Sequence, residues 1–149
     1  MSSPTAIVTF RWDGLTWAFP VRDVVEIASA REVTPVPGTG ARIAGIVAWR
    51  GRSLPVILPR PLKAGARPPE VNSRFLVVRP GSPFAVPVDE AGRVAFPDRD
   101  DPDEPGRDEG TGPGVVRAIR RSGTTEIRIL DADILVNHAR GSGAVEGRD

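Results

Sequence analysis

The sequence predicts an all-β protein, built either as a sandwich or as a pair of small barrels, and three observations predict it. Short apolar runs rich in Val, Ile and Thr follow one another along the chain, roughly eight to ten of them, as strands do. Sixteen Pro and sixteen Gly punctuate only 149 residues, which leaves little room for long helices. Turn dipeptides separate neighbouring runs at Asp13-Gly14, Arg50-Gly51 and Ser122-Gly123.

Each element follows from local chemistry. Residues 5–12 alternate, with Ile7, Thr9 and Arg11 on one side and Val8, Phe10 and Trp12 on the other. Asp13-Gly14 turns the chain, residues 15–19 return as a second strand, and Pro20 stops it. Residues 21–27 suit a short helix or a strand, and β-branching at Val24, Val25 and Ile27 favours extended structure. Residues 34–38 (Thr-Pro-Val-Pro-Gly) read as a loop, and 41–44 as one helical turn. Residues 45–60 form a hairpin, since Pro55 and Pro59 exclude a helix; its tip carries Trp49, Arg50 and Arg52. Arg and aromatic residues at a rigid tip suit recognition better than chemistry.

Residues 59–69 form a Pro/Gly/basic connector. Strands are expected at 73–79, 84–88 and 93–96, with a turn at 80–83. Residues 97–113 read as a flexible acidic loop, containing Asp98, Asp100, Asp101, Asp103, Glu104, Asp108 and Glu109. A hairpin spans 115–130, Asp131 or Asp133 caps a short C-terminal helix, and 141–149 read as a disordered tail. The expectation is one domain over 1–140, with subdomains near 5–60 and 73–130 and the chain ends crossing between them.

Composition excludes several functions. The chain has no Cys, hence no disulfide, thiolate metal site or Cys nucleophile. His138 is the one His, so a Ser-His-Asp triad or a His metal cluster is not expected. No phosphate loop exists, because residues 106–114 lack the required Lys. Pro102 and Pro105 interrupt the acidic run where a calcium loop needs alternate carboxylates, leaving calcium a remote reading. Glu26 and Asp89 each follow an apolar run with no partner that would make either a general acid or base. No enzyme, cofactor or metal is expected. No run approaches the ~18 apolar residues of a membrane span, and no secretory signal opens the sequence, so a cytoplasmic chain without membrane insertion is expected. Net charge is +1, which gives little general attraction for nucleic acid or lipid. The basic residues are Arg except for Lys63, and that bias keeps a small nucleic-acid-binding barrel as a remote alternative.

Five pieces then recur in a telling order: Val24-Val25-Glu26-Ile27; Thr34-Pro35-Val36-Pro37; the Gly45, Arg50-Gly51 and Pro55-Val56 spacing of the hairpin; Val86-Pro87-Val88-Asp89; and Ile129-Leu130-Asp131 with Leu135. Together they resemble the CheW-like domain family, the coupling proteins of bacterial chemotaxis arrays, over about residues 5–136. The resemblance implies two SH3-like five-stranded β-barrels around a shared core, and no enzymatic activity. It also implies two partners, the cytoplasmic tip of a chemoreceptor and a CheA-type histidine kinase. Carried over by motif, Glu26 and Arg50 lie near the receptor groove, and Val24, Ile27 and Trp49 supply its apolar part. Val86, Val88 and Asp89 correspond to the side linked to the kinase.

The bland readings stand beside these. Trp49 suits packing over the barrel as well as binding, and Arg50 can pair with Glu26. Three places depart from the family pattern: Ala48-Trp49 before Arg-Gly, Leu58-Pro59 after the hairpin, and Glu90-Ala91-Gly92-Arg93-Val94 after Val-Asp. The last keeps open an adaptor that binds receptor without kinase.

Overall fold

A computed structural model describes residues 6–29, 33–36, 42–61, 74–79, 81–95, 103–108 and 110–148. Strands β1 (Ile7–Trp12) and β2 (Leu15–Pro20) form a hairpin. Asp13 and Gly14 join them, both at positive φ (55° and 75°), as the twist-matched two-residue turn requires. Residues 21–27 contain both of the structures their sequence allows: a 3-10 turn over Val21–Asp23, then β3 (Val24–Ser29). Strands β4 (Ile43–Trp49) and β5 (Arg52–Ile57) make the expected hairpin. Of the helical turn expected at 41–44, residues 43–44 are strand instead, and residue 41 lies outside the described residues. The Leu58 N–H donates to the Arg42 carbonyl at 2.8 Å, so the hairpin ladder continues where a helix would have begun.

Strands β6 (Arg74–Val78), β7 (Phe84–Val88) and β8 (Glu90–Ala95) follow, then a two-residue β9 (Glu104–Pro105), β10 (Val116–Ser122) and β11 (Thr125–Leu130). Helix α1 (Ala132–Arg148) ends the description. One sheet runs β8-β1-β2-β11-β10, with β9 added at its edge; the other runs β3-β6-β7-β5-β4. The architecture is therefore two five-stranded sheets with a C-terminal helix.

Subdomains were expected near 5–60 and 73–130 with the chain ends crossing between them, and the strand pairing shows where the chain crosses. β2 pairs in parallel with β11, which draws the N-terminal hairpin into a sheet with the C-terminal strands and leaves β3–β7 as the other unit. Strand alternation then divides the apolar residues three ways. Phe75, Val77, Leu54, Val56 and Ala85 fill the interior of the second sheet, and Ile7, Ala18, Ile127 and Ile129 that of the first. The alternate residues of the same strands face each other in one shared core: Phe10, Trp17 and Phe19 from the first sheet meet Leu76, Val78, Phe84 and Val86 from the second. Burial on both faces explains why β6 and β7 read as continuous apolar runs.

The helix starts at Asp131, whose Oδ1 accepts the Ile134 N–H at 3.0 Å, and docks Leu135 and Ala139 into the shared core. It continues through Arg148 where a disordered tail was expected from Gly141. Once the capped first turns are fixed, extending a helix costs far less than nucleating one. The acidic stretch 97–113 also departs from a flexible loop in its described part. Asp103 accepts from Arg120, Arg107 donates to Glu126, and Asp108 caps the Gly110 and Gly112 N–H groups. Residues 97–102 and 109 lie outside the described residues, as do 62–69 of the connector.

Candidate functional site

The β4–β5 turn places Arg50 and Gly51 at φ 48° and 73°. Arg50 is one of two non-glycine residues at positive φ among the described residues, and that conformation costs an L-residue about 1–2 kcal/mol. The turn throws the Arg50 side chain outward, where 68% of it stays exposed. The base of the hairpin is fixed by a close approach. A Cβ on Gly45 would stand 2.4 Å from the Thr34 carbonyl oxygen, in the place where Thr34 and Ile46 exchange two backbone hydrogen bonds of 2.9 Å. Only glycine lets the Thr34 segment lie against β4 there.

Strands β3 and β4 are the two edges of their sheet, and three side chains join them. The Trp49 indole Nε1–H donates to Glu26 Oε1 at 2.8 Å, and Arg50 Nη2 reaches the same oxygen at 2.8 Å. The Arg50 guanidinium carbon lies 5.2 Å from the Trp49 ring centroid, within cation–π range. Glu26 is thus the acceptor that gathers both neighbours, and the cluster closes the barrel between its edges. It offers charge, hydrogen bonds and an aromatic face, with no nucleophile. That is equipment for recognition.

Strand alternation sorts the apolar candidates. Val24 turns inward against the shared core, whereas Ile27 is 45% exposed and shares the outer face of β3 with Val25. Sequence reasoning missed Val25, although period-two alternation from Ile27 marks it. The structure therefore brings together Glu26, Trp49 and Arg50, leaves Ile27 exposed on the other face of β3, and packs Val24 against the shared core.

The residues matched to the kinase side separate in the same way. Val86 is wholly buried and Val88 is 7% exposed; both point into the shared core, so neither offers a contact surface. Asp89 is exposed, and its Oδ2 accepts the Asp13 N–H at 2.9 Å, tying the β7–β8 junction to the first hairpin. Asp13 in turn pairs with Arg60 at 2.7 Å. Among the described residues no group of three or more His, Asp or Glu could hold a metal ion. Among the same residues no helix is long and apolar enough to cross a membrane.

Two small β-barrels welded through one core, with a polar–aromatic cluster at the rim of one of them, define a binding scaffold. The CheW-like domain pattern matches residues 6–140, and the chain belongs to that family, the adaptors of chemotaxis-type signal transduction. Among solved structures it is similar to the scaffolding protein TtCheW from Thermoanaerobacter tengcongensis. The two are 27% identical with a TM-score of 0.68, over 87% of this chain and 90% of that one. No curated protein matches.

Proposed function

We propose that this chain is a non-catalytic, cytoplasmic adaptor that couples the signalling tip of a chemoreceptor to a CheA-type histidine kinase. The observation that carries the reading is the Glu26–Trp49–Arg50 cluster on the same edge strand whose outer face exposes Val25 and Ile27. A receptor helix would lay an apolar face on β3 and meet the Arg50 guanidinium at its margin, the helix-in-groove mode. Burial of most large aromatics, Trp12, Trp17, Phe10, Phe19, Phe75 and Phe84 among them, leaves little to stack bases on and weighs against a nucleic-acid binder.

Titrating a receptor-tip fragment onto the wild-type chain, Glu26→Ala and Arg50→Ala tests the receptor half. Each variant is expected to bind about tenfold more weakly with unchanged circular dichroism, the loss typical of a central interface residue. Unchanged affinity in both would remove the site. The kinase half rests on family membership and on Asp89, the exposed member of its trio. A ternary complex with the kinase regulatory domain supports it. Binding of receptor alone would favour the receptor-only adaptor to which the altered 90–94 stretch points.

A further inference from the structure

Strand β10 lies near the edge of its sheet, and among the described residues its outer side is paired with only two residues of the same chain, Glu104 and Pro105. An open strand edge is a template for another chain, and proteins cover such edges. This cover is weak in its backbone, because Pro105 has no N–H to give the ladder.

Side chains hold it instead. Asp103 accepts from Arg120 Nε at 2.7 Å and from Arg120 Nη2 at 3.0 Å, and Glu104 pairs with Arg121. On the far side Arg107 Nη2 donates to Glu126 at 3.0 Å, and Arg121 also reaches Glu126 at 2.8 Å. Consecutive residues of β10, Arg120 and Arg121, thus meet consecutive carboxylates of the cover. The Glu104 and Arg121 side chains are each 48% exposed, so salt screens their attraction. The fit also leaves no room for a side chain at Gly106. A Cβ there would stand 1.7 Å from the Val116 carbonyl oxygen and under 3 Å from two backbone carbons.

We propose that the outer edge of β10 is a docking site for an acidic, extended segment of a partner protein. Residues 103–107 of this chain occupy it as an internal stand-in that such a segment displaces. Charge complementarity selects the occupant. An added strand gains main-chain hydrogen bonds along β10 and sets two adjacent carboxylates against Arg120 and Arg121, the mode of β-strand addition. A partner strand without a proline at the position of Pro105 has one more N–H to give the ladder. The site lies on the sheet opposite the Glu26 cluster, so it stands or falls independently of the receptor reading.

The probe is a fluorescent peptide with the sequence of residues 101–108, titrated by anisotropy at low salt against the full chain. Two variants open the edge: Gly106→Val drives the cover off by steric clash, and Glu104→Arg repels it from Arg121 without touching the core. Each is expected to bind the peptide about tenfold more tightly than the wild type, because the competing internal segment is gone. Adding Arg121→Glu to either is expected to abolish the gain, as is salt of about 0.5 M, where the Debye length is only a few ångströms. Equal affinity for wild type and folded variants, equal binding of a scrambled peptide, or survival of the gain with Arg121→Glu would each overturn the proposal. Light scattering closes the remaining route: a dimer of the opened variants formed by exchanging this segment would assign the edge to a second copy instead.

Discussion

Glu26 Oε1 serves two donors at once, and two substitutions at Glu26 separate their contributions. Glu26→Gln keeps an oxygen for the Trp49 indole, 2.8 Å away, but gives up the charge that faces Arg50. With the Arg50 side chain 68% exposed, that pair contributes about 0–1 kcal/mol. Glu26→Ala removes the pair and also strands the indole N–H of a half-buried Trp49, a further loss of about 1–2 kcal/mol. For a chain of this size each kcal/mol moves the melting temperature by about 2–4 °C. Glu26→Gln is therefore expected to melt within about 4 °C of the wild type, and Glu26→Ala about 2–8 °C below Glu26→Gln. Calorimetry at low salt and again at about 1 M salt provides the check, since salt screens ion pairs between exposed charges. High salt should erase the gap between wild type and Glu26→Gln and leave the gap between Glu26→Gln and Glu26→Ala. If Gln costs as much as Ala, or if the second gap also closes in salt, the indole bond does not hold the cluster.

Leu76→Ala, in a wholly buried position of the shared core, is expected to cost about 2–5 kcal/mol. Because that core joins both sheets, far-UV circular dichroism and tryptophan fluorescence should report one coincident urea transition; two separated transitions would show that the barrels unfold independently. Asp23 carries a carboxyl pushed above its ordinary value of 3.8, first by burial and then by Asp133 and Asp131, against the opposing pull of Arg22. A folded-state value above the unfolded one means that this group favours folding most below pH 3.8 and loses that contribution as pH rises through the folded value. Asp23→Asn is thus expected to raise stability over the wild type at pH 7, with the gain vanishing below pH 3.8, as read by urea denaturation at both pH values.

Hairpins were legible because their signals are local. Asp13-Gly14 and Arg50-Gly51 both adopt the positive φ pairs their composition suggests, and the strands on either side pair antiparallel. The assignment of strands to sheets was not legible. It depends on two parallel pairings, β2 with β11 and β5 with β7, that join segments far apart in sequence and leave no mark on either. Acidic residues 103–108 misled for a related reason. Their composition is that of a solvated loop, and only the distant Arg120, Arg121 and Glu126 turn them into a held segment.

The candidate site shows the same division between local and non-local information, and strand position explains which residues were read correctly. Gly45 and Arg50 sit where the backbone itself is demanding: one faces the Thr34 carbonyl at a distance only glycine allows, the other turns a hairpin at positive φ. A sequence pattern therefore marks both. Glu26 and Trp49 lie on β3 and β4, the two edges of their sheet, so polar groups there remain at the surface and find each other across the gap. β7 has the opposite situation. It lies in the middle of the sheet between β6 and β5, with one face on the barrel interior and the other on the shared core, so Val86 and Val88 match a family motif yet point into the packing. A motif in a central strand records what the core needs, and one in an edge strand records what a partner can reach. On that distinction any kinase surface of this chain has to be sought at rims and edges such as Asp89 and β8, not along the valines of β7.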